Sequence, residues 1–259
     1  MIKESIKFQD STIFEGMTSI RAIIRSIDFK ISDRKIKNIY FDKSKYKKIS
    51  KEIRYLKAVS EKYGFSVEEK TADEIEKLTL GNSHGGIIAY ATERTLPCLT
   101  ESSKIESNGF YCMIQGIEDP YNFGYALRSL YAVGCDGIIL PPRNWMSAAG
   151  VVARSSAGAS EMFNIFCADP SDAIKFFKGK KYCVVCAHED TDNILGKCDL
   201  KLPVFLIVGG EKRGITQTII KEADKLVKIN YARDFNASLS AASAATIFAY
   251  EIARQNKIF

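Results

Sequence analysis

From Phe110 onward, short apolar runs alternate with helical stretches, and this alternation constrains the fold more than any other property of the chain. Phe110–Ile117, Gly137–Leu140, Met162–Phe166, Tyr182–Ala187, Val204–Val208 and Leu226–Ile229 read as strands. Helical stretches lie between them at 122–133, 148–155, 171–177 and 216–222, and a long one closes the chain from about Ser238 to Gln255. Strands that are apolar on both faces belong inside a sheet covered on both sides, and helical crossovers join parallel neighbours. The expectation is an α/β unit with a mainly parallel sheet, whose ligands would meet the carboxyl ends of the strands.

The first part also reads as α/β, but it is smaller and more polar. Helices are expected at 18–27, 50–63 and 72–80, and strands at 36–41 and 65–68, with a last strand after the Gly-Gly turn of NSHGGIIAYATE. The polar, Ser-rich stretch LPCLTESSKIESN reads as a linker. The division expected is therefore 1–95, a linker at 96–108, and 109–259. Residues 28–57 hold 11 basic and 4 acidic residues, with Tyr40, Phe41, Tyr46 and Tyr55 among them. Such a mixture suits a phosphate backbone with exposed bases, and equally an ordinary solvated surface.

Composition excludes several classes. No apolar run in the 259 residues is long enough to cross a bilayer. The start, MIKESIKFQD, is charged from its third residue, unlike a secretory signal, so a cytoplasmic protein is expected. Seven scattered cysteines do not make a disulfide framework. Cys183 and Cys186 form a C-x-x-C inside an apolar run and read as core thiols, so no metal is expected.

Three segments could carry chemistry. In IEDPYNFGYALRSLYAVGCDG, Asn122 stands where it could cap a helix, and Gly124 could admit close backbone. Arg128 is the lone charge between Asp119 and Asp136, so it must face a cleft, solvent or an acid. In FLIVGGEKRGIT, Gly209, Glu211 and Gly214 follow a strand, yet the loop is neither a phosphate loop nor a dinucleotide fingerprint. In INYARDFNASLSAASAATIFAYE, nine of the thirteen residues 237–249 are Ala or Ser, which permits very close packing. A fourth segment, ARSSAGASEMF, sets Arg154 beside small residues without an evident role.

Together and in this order, these segments resemble the three motifs of the SpoU/TrmH-type RNA ribose methyltransferases of the SPOUT class, with SSAGA between the first and second. The resemblance covers residues 109–259. Residues 1–95, with Phe14-Glu15-Gly16 and His84-Gly85-Gly86, resemble that family's ribosomal-protein-like RNA-binding domain. The resemblance implies a deep trefoil knot in the parallel-sheet domain, an exception to the unknotted rule. It implies a homodimer and S-adenosylmethionine held by Gly209, Glu211, Gly214, Ile229, Ser238 and Leu239. It implies methyl transfer to a ribose 2′-hydroxyl of structured RNA, rRNA before tRNA, with Asn122, Arg128, Glu211 and Ser240 at the reacting groups. The family's third motif usually reads Ser-Leu-Asn, whereas here Ser240 replaces the Asn, and the Ser that usually follows is Ala242. That departure leaves open a non-catalytic RNA-binding or ribosome-assembly protein on the same scaffold.

Overall fold

The computed structural model describes residues 13–79, 84–117, 119–142, 148–210 and 214–259. Packing divides the chain into two compact units, 1–95 with 145–162, and 96–144 with 163–259.

The first unit is a four-stranded sheet in the order β1-β4-β2-β3, formed by β1 (Ile13–Glu15), β2 (Ile36–Asp42), β3 (Ser66–Lys70) and β4 (Ile87–Ala91). β4 runs antiparallel to both β1 and β2, and β3 runs parallel to β2. α1 (Gly16–Asp28), α2 (Ser50–Tyr63) and α3 (Ala72–Leu78) accompany it. α2 buries Ile53 and Leu56, each worth roughly 1.5–3 kcal/mol. It ends at Gly64, whose φ of +73° is the left-handed cap that glycine adopts without strain. α3 begins with a reciprocal capping box between Thr71 and Glu74.

α5 (Ala149–Ser155) and α6 (Ala159–Met162) complete this first core. Their small residues have a steric reason. A Cβ on Gly150 would lie 1.9 Å from the carbonyl oxygen of Ile13, and one on Gly158 would lie 2.5 Å from the Cβ of Ala22. Arg154 donates to Glu15 at 2.6 Å, which gives that arginine a local partner. Arg34 is buried over the ring of Phe14. It donates to Glu161 at 2.9 Å and to the carbonyl of Thr92 at 2.6 Å. One of the eleven basic residues of 28–57 therefore belongs to the core, while Lys43, Lys45, Lys47 and Lys48 stand exposed in succession.

The second unit is a six-stranded sheet in the order β10-β8-β9-β5-β6-β7, parallel throughout. Its strands are β5 (Phe110–Ile114), β6 (Gly137–Leu140), β7 (Asn164–Cys167), β8 (Cys183–Ala187), β9 (Val204–Val208) and β10 (Lys225–Val227). Its helices are α4 (Pro120–Ala132), α7 (Pro170–Gly179), α8 (Gln217–Glu222) and α9 (Ala241–Asn256). Every residue of β5, β6 and β9 is buried, as strands covered on both faces require.

The units differ from the division expected from sequence in two places. Residues 96–108 pack with the second unit. Cys98 pairs with Cys167 in a parallel bridge, Leu99 and Ile105 join its core, and the carbonyl of Glu106 accepts from the Tyr182 hydroxyl. Residues 148–162 pack with the first unit, because Ala149 and Ala153 fill its core. Cys183 and Cys186 lie in β8 as free thiols. Burial pushes Cys183 up and Cys186 to about 12, away from the thiolate that metal binding or redox chemistry needs. Among the described residues no group of three or more His, Cys, Asp or Glu could hold a metal ion, and no helix is long and apolar enough to cross a membrane.

Candidate functional site

In the second unit the chain order reverses between β5 and β9. β5, β6 and β7 build outward on one side, while β9, β8 and β10 occupy the other. The loops leaving the carboxyl ends of β5 and β9 thus start side by side and diverge, the point at which open parallel sheets take ligands. Gln115 still donates to the carbonyl of Val208, so the two exits remain paired one residue past the strands.

Beyond that bond the backbones almost touch. A Cβ on Gly210 would meet the carbonyl oxygen of Gly116 at 2.1 Å, and one on Gly209 would meet the carbonyl carbon of Gly214 at 2.7 Å. Gly214 donates to the carbonyl of Gly210 at 3.0 Å and closes a tight turn. Gly214 has a φ of +56°, and a Cβ on it would meet nothing within 4 Å. Gly209 and Gly210 are therefore packed against other backbone, while Gly214 has open space where a side chain would stand. Glu211, between these glycines, lies outside the described residues.

α4 leaves the same end of β5. Its N-cap is Asp119, whose side chain accepts from the Asn122 N–H at 2.9 Å, and Pro120 fills the first helical position. This corrects the expectation that Asn122 caps the helix. Asn122 is the third residue of α4, and its own side chain remains available. Arg128, two turns on, is exposed, and among the described residues nothing pairs with it. The opposite face of α4 buries Phe123, Gly124, Ala126, Leu127 and Leu130. α9 packs against α4 and buries alanines 241, 242, 245, 249 and 253 with Phe248 and Ile252.

The segment entering α9 is held at two points. The Leu239 N–H donates to the Tyr231 hydroxyl at 3.2 Å, and Ser240 is the N-cap, its hydroxyl accepting from the Ser243 N–H at 3.1 Å. Ser238 is exposed, and Ile229 follows β10 half-buried. One turn thus holds Gly209 and Gly214, one helix carries Asn122 and Arg128, and the packed neighbour of that helix begins at Ser240.

The SpoU rRNA Methylase family model matches residues 109–250. The chain belongs to this family. A tRNA/rRNA methyltransferase of Mycobacterium sp. (strain KMS), itself uncharacterized, is 32% identical over 199 residues, covering 75% of this chain and 63% of that protein. The 23S rRNA (guanosine-2′-O-)-methyltransferase RlmB of Shewanella oneidensis is 26% identical over 202 residues, covering 75% and 80%. The chain spans only 57% of a Staphylococcus saprophyticus relative. In fold, the AdoMet-bound rRNA methyltransferase of Sinorhizobium meliloti superposes with a TM-score of 0.74 at 23% identity, over 94% of this chain and 87% of that one.

Membership gives Ser240 a physical reading. Asn and Ser are equally good helix N-caps, so the serine that the sequence resemblance sets against the family asparagine still starts α9. Two parts of the site escaped sequence reasoning. The Asp119-Pro120 pair is a helix-start signal that could have located the cap. Gly116 and Gly210 carry no local signal, because each is required only by the backbone of the other.

Proposed function

We propose that this SpoU-family chain transfers a methyl group from S-adenosylmethionine to the 2′-hydroxyl of a ribose in structured RNA, rRNA before tRNA. The observation that carries the reading is the backbone turn of Gly209, Gly210 and Gly214 at the switch point between β5 and β9, with the helix of Asn122 and Arg128 leaving the adjacent strand end. Bare backbone with open space at Gly214 fits a cofactor whose adenosine and methionine parts need hydrogen bonds and close contact more than countercharge. Glu211, Ile229, Ser238 and Leu239 would complete that holding set, by the family pattern. The parallel-sheet unit would carry the trefoil knot, by the family pattern.

S-adenosylmethionine supplies an electrophilic methyl on a sulfonium. The chain must set a ribose oxygen in line with it and exclude water, and such positioning is worth up to about 7–11 kcal/mol in favourable cases. Arg128 has no partner among the described residues, so its guanidinium can grip the phosphate beside the ribose and stabilise the oxygen as it loses its proton. A guanidinium resists deprotonation, which makes this role physically easier than that of a base. Asn122 can hydrogen-bond the ribose. Ser240 positions the site by starting α9.

The working form is read as a homodimer. Tyr121 and Tyr125 on α4, and Ile247 and Tyr250 on α9, are exposed large side chains at helical spacing on two packed helices, a surface suited to a second copy. Arg128 follows Tyr125 on the exposed stripe of α4, so a partner would enclose it. The deciding experiment measures methyl transfer to RNA and to the same RNA with one deoxyribose at the modified nucleotide. Loss of transfer with the deoxy substrate is expected, and transfer that survives would mean that a base is methylated.

A further inference from the structure

The chain crosses into the second unit at Leu96 and, after α5 and α6 in the first, crosses into it again at Phe163. A cysteine stands just past each crossing, Cys98 after the first and Cys167 in β7 after the second. The two are directly opposed. The Cys167 N–H donates to the carbonyl of Pro97 at 2.8 Å, and the Leu99 N–H donates to the carbonyl of Cys167 at 2.9 Å, so the two bonds straddle Cys98. Cys98 thus adds one parallel bridge beside β7, which ends the six-stranded sheet on that side. Opposed residues on paired strands turn their side chains to the same face, and their backbones stand roughly 5 Å apart. A disulfide spans Cα atoms about 4.4–6.8 Å apart, so the backbone already holds this pair within reach.

Access sets the pair apart from the other cysteines. Cys98 is exposed and Cys167 half-buried. Cys135 also has a thiol neighbour in Cys112, but both are buried, out of an oxidant's reach. Cys183 and Cys186 are three apart on one strand, so they point to opposite faces. Half-buried Cys198 is acted on by Lys225, Glu251 and Asp199, none of them a thiol. Burial first, and the Cys98 thiol second, hold Cys167 above the usual cysteine range, so the two sulfurs feel each other while reduced. Joining them removes both ionisable groups and that repulsion with them.

We propose that Cys98 and Cys167 form a reversible disulfide that fastens the segment after the first crossing to the edge of the parallel sheet. The proposal does not rest on the methyl-transfer reading. The oxidant is a small disulfide of the glutathione kind. The exposed Cys98 thiolate attacks one of its sulfurs, forms a mixed disulfide and expels one small thiolate. The Cys167 thiolate then attacks the Cys98 sulfur, breaks the mixed disulfide and expels the second. Two protein thiols lose two protons and two electrons, and one small disulfide becomes two small thiols.

The test equilibrates the full chain with mixtures of reduced and oxidised glutathione, alkylates the remaining thiols, and maps the links by mass spectrometry without reduction. A link within one chain between Cys98 and Cys167, formed at ratios that leave Cys198 free, is the expected result. In Cys167→Ser, Cys98 should stop at the mixed disulfide with glutathione. In the oxidised parent, amide exchange at Leu99 and Cys167, the two donors of the bridge, should slow by about tenfold or more, and a reducing agent should restore it. The proposal is overturned if Cys98 of the parent stops at the mixed disulfide as it does in Cys167→Ser. It is equally overturned if the link joins two copies of the chain, or if both thiols stay free at every ratio. A link that leaves exchange at both amides unchanged overturns it too, since nothing would then be fastened.

Discussion

Replacing Ser240 separates a helix cap from a chemical group. In Ser240→Ala the Ser243 N–H loses its acceptor at 3.1 Å, and the Ser243 hydroxyl loses a neighbour at 3.0 Å. Removing a serine N-cap costs about 0.5–2 kcal/mol, typically near 1. For a unit of this size 1 kcal/mol lowers Tm by roughly 2–4 °C. Ser240→Asn restores a side-chain acceptor at the cap and should keep Tm within about 1 °C of the parent. Fraying of α9 at Ser240 also loosens Leu239, so affinity for S-adenosylmethionine should fall by no more than about fivefold, the equivalent of 1 kcal/mol. Thermal denaturation and calorimetric titration of the three proteins measure both effects. The reasoning fails if Asn destabilises as much as Ala. It also fails if Ser240→Ala keeps its Tm and cofactor affinity yet loses about a hundredfold in transfer, since Ser240 would then act on the reacting atoms.

Arg128→Ala should leave the free energy of unfolding within about 0.5 kcal/mol of the parent, as an exposed side chain without a partner among the described residues implies, while single-turnover methyl transfer drops at least about a hundredfold; Arg128→Lys should rescue poorly for want of the planar fork. Gly210→Ala would place a Cβ 2.1 Å from the Gly116 carbonyl, so the turn must open, and equilibrium dialysis should find cofactor binding lost while Gly179→Ala, whose Cβ would meet nothing within 4 Å, binds normally. Glu161→Gln strips the charge partner from buried Arg34 and should cost about 3–5 kcal/mol in denaturant unfolding, whereas an exposed pair such as Lys175–Asp172 should cost under about 1. Reversing Lys43, Lys45, Lys47 and Lys48 together should weaken RNA binding and flatten its dependence on salt, read by filter binding across a salt series.

The sheet of the second unit was legible because its strands are apolar on both faces. Gly137–Leu140 and Val204–Val208 stand in the structure with the bounds read from sequence. α2 at Ser50–Tyr63 was equally plain, since its periodicity and its following glycine agree. β1 was not, because three residues carry no period and their pairing partners lie far along the chain, at Ile88, Ala89 and Tyr90. The Arg34–Glu161 pair spans 127 positions, and nothing near Arg34 distinguishes it from the lysines that follow. At the site, residue types and order were visible as motifs. The backbone approach of Gly116 to Gly210 was not, because a close contact is a property of two segments and sequence shows only one at a time.

The first unit draws its core from two separated stretches of chain, and this has a consequence for its birth on the ribosome. Phe14 and Ile20 share a core cluster with Ala149 and Ala153, and Arg34 closes on Glu161. When Thr95 leaves the exit tunnel, that core still lacks one wall, and the buried guanidinium has no carboxylate to meet. The missing pieces arrive about 67 residues later, roughly 3–13 s at a synthesis rate of about 5–20 residues per second. In that interval β5 and β6 of the second unit emerge too, so the nascent chain must carry an open apolar surface while it makes the very segments that will cover it.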